Sequence, residues 1–240
     1  MSAAPELSLV IPVYNERDNV GVLLEEIAAA LSSRSYEVIA VDDGSTDDSL
    51  EVLKGLTRKH PELRILSFEA NAGQSAALVA GFQAARGRTV VTLDADLQND
   101  PADIPALVAK LDAAGATAVV GYRVKRHDTA WKRLQSRIAN GVRNWLNAET
   151  IRDTGCSLKA FRADAARALP AFKGMHRFLP TLIKLQGGTV VEVPVSHRPR
   201  RFGTTKYGML NRAVRSFVDA LGVRWMQRRV LRYRVKGEWP

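Results

Sequence analysis

Five apolar runs, Leu7–Val13, Glu37–Val41, Arg64–Phe68, Thr89–Leu93 and Thr117–Gly121, alternate with four amphipathic stretches, Val20–Leu31, Ser49–Lys59, Gln74–Ala85 and Ala102–Ala114. Short apolar runs separated by segments of helical period predict βαβ units and a mostly parallel sheet with helices on both faces, an α/β fold. Sheets of this kind bind ligands at the carboxyl ends of their strands. Four polar clusters fall at those ends: Tyr14-Asn-Glu16, Asp42-Asp-Gly-Ser-Thr-Asp47, Asn71-Ala-Gly73 and Asp94-Ala-Asp96. Four clusters on one rim imply one site.

The last cluster narrows the chemistry. Side chains at i and i+2 of a strand share a face, so Asp94 and Asp96 present two carboxylates at a strand's end. Paired carboxylates suit a hard divalent cation that shares its oxygen ligands with substrate phosphates. For an isolated Asp-x-Asp an acidic turn with Pro101 as a helix starter is the preferred reading; the companion clusters favour the cation.

The second half reads differently. Asp128–Ala148 predicts a basic helix with Trp131, Leu134, Ile138, Val142, Trp145 and Leu146 at helical spacing. Gly155–Phe161 and Thr189–Val195 read as strands, and Ser196–Lys206 as a loop dense in Arg and Gly. Residues 207–233 repeat Leu210, Val214, Phe217, Leu221 and Trp225 at helical spacing, flanked by arginines. The 240 residues, 46% hydrophobic and 25% charged, contain enough apolar material for one large core. Neither a repeat nor a flexible linker divides the chain. The expected organisation is a domain over residues 1–206, with halves 1–122 and 123–206, followed by a basic helical extension over 207–240.

Charge is split between the halves. Residues 1–120 carry 9 Lys+Arg against 18 Asp+Glu, and residues 121–240 carry 26 against 7. A basic half of that strength suggests a polyanionic partner: nucleic acid, anionic lipid or a phosphorylated substrate. The charge is accompanied by no helix-turn-helix, zinc-finger or RNA-binding signature, so no nucleic-acid partner is expected. The single cysteine, Cys156, excludes an internal disulfide and reads as a buried inert thiol. Histidines 60, 127, 176 and 197 lack metal-ligand spacing. Residues 1–6 lack a basic and apolar leader pattern, and no run approaches the ~18 apolar residues that span a bilayer. A cytoplasmic chain without a transmembrane segment is therefore expected.

Pro12-Val-Tyr-Asn-Glu16, Val41-Asp-Asp-Gly-Ser-Thr-Asp47, Asn71-Ala-Gly73 and Asp94-Ala-Asp-Leu-Gln98 stand here in the order and spacing of family 2 glycosyltransferases, inverting enzymes of the Rossmann-like GT-A fold. Gly121-Tyr-Arg123, Asp153-Thr-Gly155, Lys159-Ala-Phe-Arg162 and Arg198…Gly203-Thr-Thr-Lys206 resemble the dolichol-phosphate mannose synthase and undecaprenyl-phosphate glycosyltransferase branch. The resemblance covers roughly residues 6–210.

The resemblance implies roles residue by residue. Pro12 and Tyr14 would line a nucleotide cleft, Glu16 would bind ribose hydroxyls, and Asp43 would read the base edge. Gly73 and Ala95 belong to the same nucleotide-sugar set, and Gly44 and Gly73 would permit close approach or unusual φ. Asp94, Asp96 and Gln98 would hold Mg²⁺ or Mn²⁺ against the two phosphates of a GDP- or UDP-hexose.

For the acceptor, a lipid phosphate has a second pKa of about 6 and arrives ionised; it needs cations rather than a base. Lys132, Arg133 and Arg201 are candidates, and the resemblance favours Arg123, Arg137, Arg198 and Lys206, with Ser136 and Asn140 as neutral helpers. His197 is a further candidate for acceptor-phosphate contact or a plain surface residue. Asp94, Asp96, Arg123, Arg137 and Asp153 form the expected catalytic set. Asp153 orients an acceptor arginine, caps its turn, or acts as the base of a hydroxyl-accepting enzyme. The expected function is hexose transfer, mannosyl or glucosyl, to a polyprenyl phosphate. Transfer to a hydroxyl acceptor is the alternative, and a nucleic-acid-binding module ranks last. Basic amphipathic helices over 128–148 and 207–233 imply peripheral contact with an anionic cytoplasmic leaflet; the alternative is packing on the domain or in a homo-oligomer.

Overall fold

A computed structural model describes residues 4–124, 150–199, 209–231 and 236–237. The expected helix 128–148 lies outside the described residues, as do Lys132, Arg133, Ser136, Arg137, Asn140, Arg201 and Lys206.

The predicted alternation is observed: β1 (Leu7–Val13), α1 (Arg17–Ala30), β2 (Tyr36–Asp42), α2 (Ser49–Leu56), β3 (Leu63–Ser67), α3 (Gln74–Ala84), β4 (Thr89–Thr92), α4 (Ile104–Ala113) and β5 (Ala118–Arg123). The order continues with β6 (Lys159–Arg162), α5 (Ala163–Arg167), α6 (Leu179–Leu185), β7 (Val190–Val195) and α7 (Met209–Arg228). All seven strands join one sheet in the order β3-β2-β1-β4-β6-β5-β7. Only β6 runs antiparallel to its neighbours.

Alternation along β1 divides the core. Leu7, Leu9 and Ile11 face Leu23 and Ile27 of α1 and Leu107 and Leu111 of α4. Val10 faces the opposite layer, with Phe82 of α3, Phe161, Leu182 of α6 and Val223 of α7. Gly81 lets α3 approach this side closely, because a Cβ there would lie 2.2 Å from Val10 Cγ1. Gly81→Ala is therefore expected to destabilise by about 1–3 kcal/mol through overpacking, despite alanine's better helix propensity. Urea unfolding measures it.

Topology selects the place of the site. From β1 the chain winds outward to β2 and β3, and then returns through α3 to β4 on the other side of β1. The strand order reverses between β1 and β4, opening a crevice at their carboxyl ends. Register brings the second half to that rim. Lys159, which opens β6, is level with Thr92 of β4 and Val120 of β5. Residues 153–158 and Arg123 therefore emerge beside Asp94, and Val195 of β7 pairs with Arg123. The expected strand over 155–161 begins only at Lys159, because residues 153–155 form a turn around the Asp153 carboxylate.

The C-terminal helix has two characters. Ala220 and Val223 of α7 are buried in the core, and Asp219 pairs with Arg177 at 3.2 Å. The apolar residues on the other side remain outside: Val218 is 60% and Trp225 61% exposed, beside exposed Phe217 and Leu221. Among the described residues no helix is long and apolar enough to cross a membrane.

Candidate active site

The rim at the carboxyl ends of β1 and β2 is built from three interlocked loops. Asn15, at φ 54, donates from its backbone to Ser45 Oγ at 3.0 Å, and its Oδ1 accepts from Thr46 N at 2.7 Å. Glu16 N donates to Ser49 Oγ, so Glu16 starts α1 against the second cluster. Pro12, Tyr14 and Glu16 are half-buried beside these loops. Gly44, at φ 63, allows a close crossing: a Cβ there would be 2.5 Å from the Ala70 carbonyl carbon. Gly73, at φ 93, caps α3. Both glycines thus adopt the unusual φ expected of them.

Asp43, expected to read a base edge, is bonded to the loop that opens α3. Its buried carboxylate accepts from Ala72 N at 2.7 Å, from Gly73 N at 2.9 and 3.1 Å and from Asn71 Nδ2 at 3.0 Å. A carboxylate has about four acceptor sites. These bonds use both oxygens, so Asp43 holds the loop that opens α3.

The acids stand where the sequence predicts. Asp94 follows β4, and its Oδ1 accepts from Gln74 Nε2 at 2.8 Å, tying it to the first turn of α3. Asp96 is buried, with Oδ1 accepting from Gln98 N at 3.2 Å. Between them Ala95 turns into the core. Leu97 is buried at φ 60, a left-handed conformation that non-glycine residues seldom adopt. Asp100 caps the next turn by accepting from Ala102 N at 3.0 Å, ahead of Pro101. Two carboxylates and an amide are hard oxygen donors, and that donor set fits Mg²⁺ or Mn²⁺.

Arg123 and Asp153 form a fork. Arg123 Nε donates to Oδ2 at 2.6 Å and Nη2 to Oδ1 at 2.9 Å, with both side chains largely buried. Gly155 N also donates to Oδ1, at 3.2 Å. Of the three roles open to Asp153, this geometry displays orientation of the arginine and capping of the turn. The turn is bonded to the acid loop: Ser157 Oγ donates to Asn99 Oδ1 at 2.6 Å, and Asn99 Nδ2 approaches Cys156 Sγ at 3.6 Å. The acid loop and the turn that carries Asp153 are therefore joined directly.

Arg198, expected on an acceptor phosphate, bridges two protein carboxylates, Glu26 and Asp100. His197, also considered for the acceptor, pairs with Asn99 in an antiparallel bridge.

Sequence reasoning gave no role to Gln74, Asn99 or Lys159. Lys159 is a buried lysine whose Nζ donates to Cys156 O. Burial pushes its ammonium pKa down, against the pull of Cys156, Asp94 and Asp153. The sequence signal was a lysine inside the apolar run Leu158-Lys-Ala-Phe161. Burial also raises the Cys156 thiol. Native protein is expected to leave Cys156 unmodified by a thiol-disulfide reagent, whereas denatured protein reacts with one equivalent; a colorimetric thiol titration checks this.

Residues 8–169 match the family model described as Glycosyl transferase family 2. That is more than half of the chain, and the chain belongs to this family, as its motifs implied. The chain is 39% identical over 229 residues to the dodecaprenyl-phosphate galacturonate synthase of Rhizobium johnstonii, covering 93% of this chain and 68% of that protein. It is 38% identical over 208 residues to the undecaprenyl-phosphate 4-deoxy-4-formamido-L-arabinose transferase of Edwardsiella ictaluri, covering 85% of this chain and 63% of that one. The chain thus spans about two thirds of the length of either relative. Glucosyl-3-phosphoglycerate synthase from Mycobacterium tuberculosis, solved with Mn²⁺, UDP and phosphoglyceric acid, superposes with a TM-score of 0.71 at 20% identity over 93% of this chain and 78% of that one. At that identity the likeness bears on the fold alone.

Proposed function

We propose that this chain transfers a sugar from a nucleotide diphosphate sugar to a polyprenyl phosphate, with inversion at the anomeric carbon. The observation that carries the reading is the bonded junction between the acid loop and the Asp153–Leu158 turn, which supports a shared site for Asp94, Asp96 and the Arg123 fork. The names of the relatives of known function support the same acceptor class. Their sugars are galacturonate and a formamido-arabinose, so the mannose or glucose expected earlier is not carried forward.

Asp94, Asp96 and Gln98 would hold Mg²⁺ or Mn²⁺, which when bound neutralises charge on the diphosphate. Pro12, Tyr14 and Glu16 border the nucleotide, and the loop held by Asp43 closes its far side. Asp153 fixes Arg123 in a single orientation and keeps part of its donor array occupied. In the proposed reaction the Arg123 guanidinium, so oriented, attracts an acceptor phosphate that arrives ionised. No protein group needs to remove a proton from such an acceptor, which suits an aspartate engaged by an arginine on both oxygens. Arg137, Lys206 and Ser136 complete the proposed acceptor set from outside the described residues.

The test is a panel of GDP- and UDP-sugars incubated with a short polyprenyl phosphate and Mn²⁺. Nucleoside diphosphate released only when lipid is present supports the reading; release to sugar or protein hydroxyls favours the alternative acceptor.

The lipid acceptor extends the proposal to a membrane surface on the cytoplasmic side. Support comes from the exposed row Phe217, Val218, Leu221 and Trp225, with exposed Arg228 and Arg229 beside it and the Arg229 guanidinium 5.8 Å from the Trp225 ring. An apolar row beside arginines fits an anionic interface. Co-sedimentation with anionic vesicles across a salt series tests it, and no binding at low salt counts against it.

A further inference from the structure

The segment leaving β7 is stitched to the acid loop at successive points. Ser196 N donates to Asp103 Oδ2 at 2.7 Å, His197 pairs with Asn99, and Arg198 N donates to Gln98 O at 2.8 Å. The Arg198 side chain completes the seam. Its Nη1 donates to Glu26 Oε1 and Oε2 at 2.9 and 2.7 Å, and its Nη2 lies 2.5 Å from Asp100 Oδ2. All three side chains are half-buried.

The line of bonds continues to the metal-side acid. Gln98, whose carbonyl takes the Arg198 N–H, donates its own N–H to Asp96 Oδ1. Leu97 between them is held at φ 60, and such a conformation persists only where its surroundings over-determine it. Three independent supports do so here: the burial of Leu97, the Asn99 bonds to Cys156 and Ser157, and the Arg198 seam.

We propose that Arg198 is a positioning residue that bridges Glu26 of α1 and Asp100 to hold the turn Asp96–Gln98 in its metal-receiving shape. The proposal rests on the reading of Asp94 and Asp96 as metal-holding acids. A planar guanidinium can face two carboxylates at once, which an ammonium cannot do with the same geometry. The tie also fixes the point from which the sequence runs on into Arg200, Arg201 and Lys206, so one arginine registers the start of the basic segment against the acid turn.

Glu26→Gln separates this role from a phosphate clamp, because it alters the strap without touching the arginine. In metal-free protein, Glu26→Gln and Arg198→Lys are each expected to speed amide hydrogen exchange over residues 97–103 while β2 and β3 keep their protection. Each is also expected to raise the Mn²⁺ half-saturation for binding of UDP or GDP by about tenfold, the scale of lost outer-shell support. That binding is measured by titration calorimetry without lipid. Unchanged exchange overturns the proposal. Faster exchange with an unmoved Mn²⁺ titration reduces the seam to a brace and also overturns it. A defect confined to Arg198→Lys and to acceptor KM overturns it in favour of direct phosphate binding. Absence of Mn²⁺-dependent nucleotide binding in the unaltered protein counts against the proposed function instead, and the exchange comparison then decides whether the strap holds the turn.

Discussion

Replacing Asp96 by alanine is expected to lower sugar transfer by about 10²–10³ while the protein remains folded. A group that stabilises charge developing on a departing oxygen typically contributes that much. The carboxylate sits in the switch-point crevice and is oriented by Gln98 N. On the folding side, the loss includes a hydrogen bond to a backbone N–H, about 1 kcal/mol, which is small beside the stability of a folded domain. Transfer kinetics at saturating Mn²⁺, with a thermal melt run in parallel, make the measurement. Near-normal turnover in a folded Asp96→Ala protein would overturn the metal assignment.

The second large effect belongs to the Arg123–Asp153 fork. Asp153→Ala leaves a largely buried guanidinium without its bidentate partner, and breaking a buried pair in this way costs about 3–5 kcal/mol. For a chain of this size the melting temperature should fall by roughly 10 °C. Transfer should fall as well, because Arg123 loses its fixed direction. The double variant Arg123→Met/Asp153→Ala is expected to regain part of the stability and none of the activity. A double-mutant cycle that includes the Arg123→Met single variant provides the readout. Strictly additive stability losses would contradict the coupling. Retained stability in Asp153→Ala, with activity lost only above a single pKa, would point to a general base.

Much of this architecture was legible in the chain. The strand runs of the first half were readable because a buried parallel strand is apolar almost throughout, and each ends where its polar cluster begins. That pattern alone put Asp94, Asp96, Glu16 and Asp43 on one rim. The antiparallel sense of β6 was not legible, since periodicity carries no direction. Its late start followed from a side-chain bond, Gly155 N to Asp153 Oδ1, that no apolar pattern records. The C-terminal stripe was readable as helical, but its spacing cannot say which flank packs: Ala220 and Val223 face the core, while Phe217 and Trp225 face out.

The partners of Arg198 were not legible for a related reason. A basic residue at the head of a basic segment looks like a phosphate ligand, and its partner Glu26 is 172 residues away in sequence. Asp43 shows the same limit from the other side. An acid in a nucleotide motif looks available to a ligand until the fold brings Asn71, Ala72 and Gly73 onto it. Residue type predicts what a group can bind; only the fold reveals whether another group has bound it first.

Diphosphate release measured side by side with a polyprenyl monophosphate and the corresponding polyprenyl alcohol bears most directly on the idea that paired acids and an arginine fork serve one anionic acceptor. With the donor sugar nucleotide and Mn²⁺ in common, release should accompany the monophosphate and be absent with the alcohol. Equal release with the alcohol would mean that the fork does not select a phosphate, and the proposed reaction would be wrong.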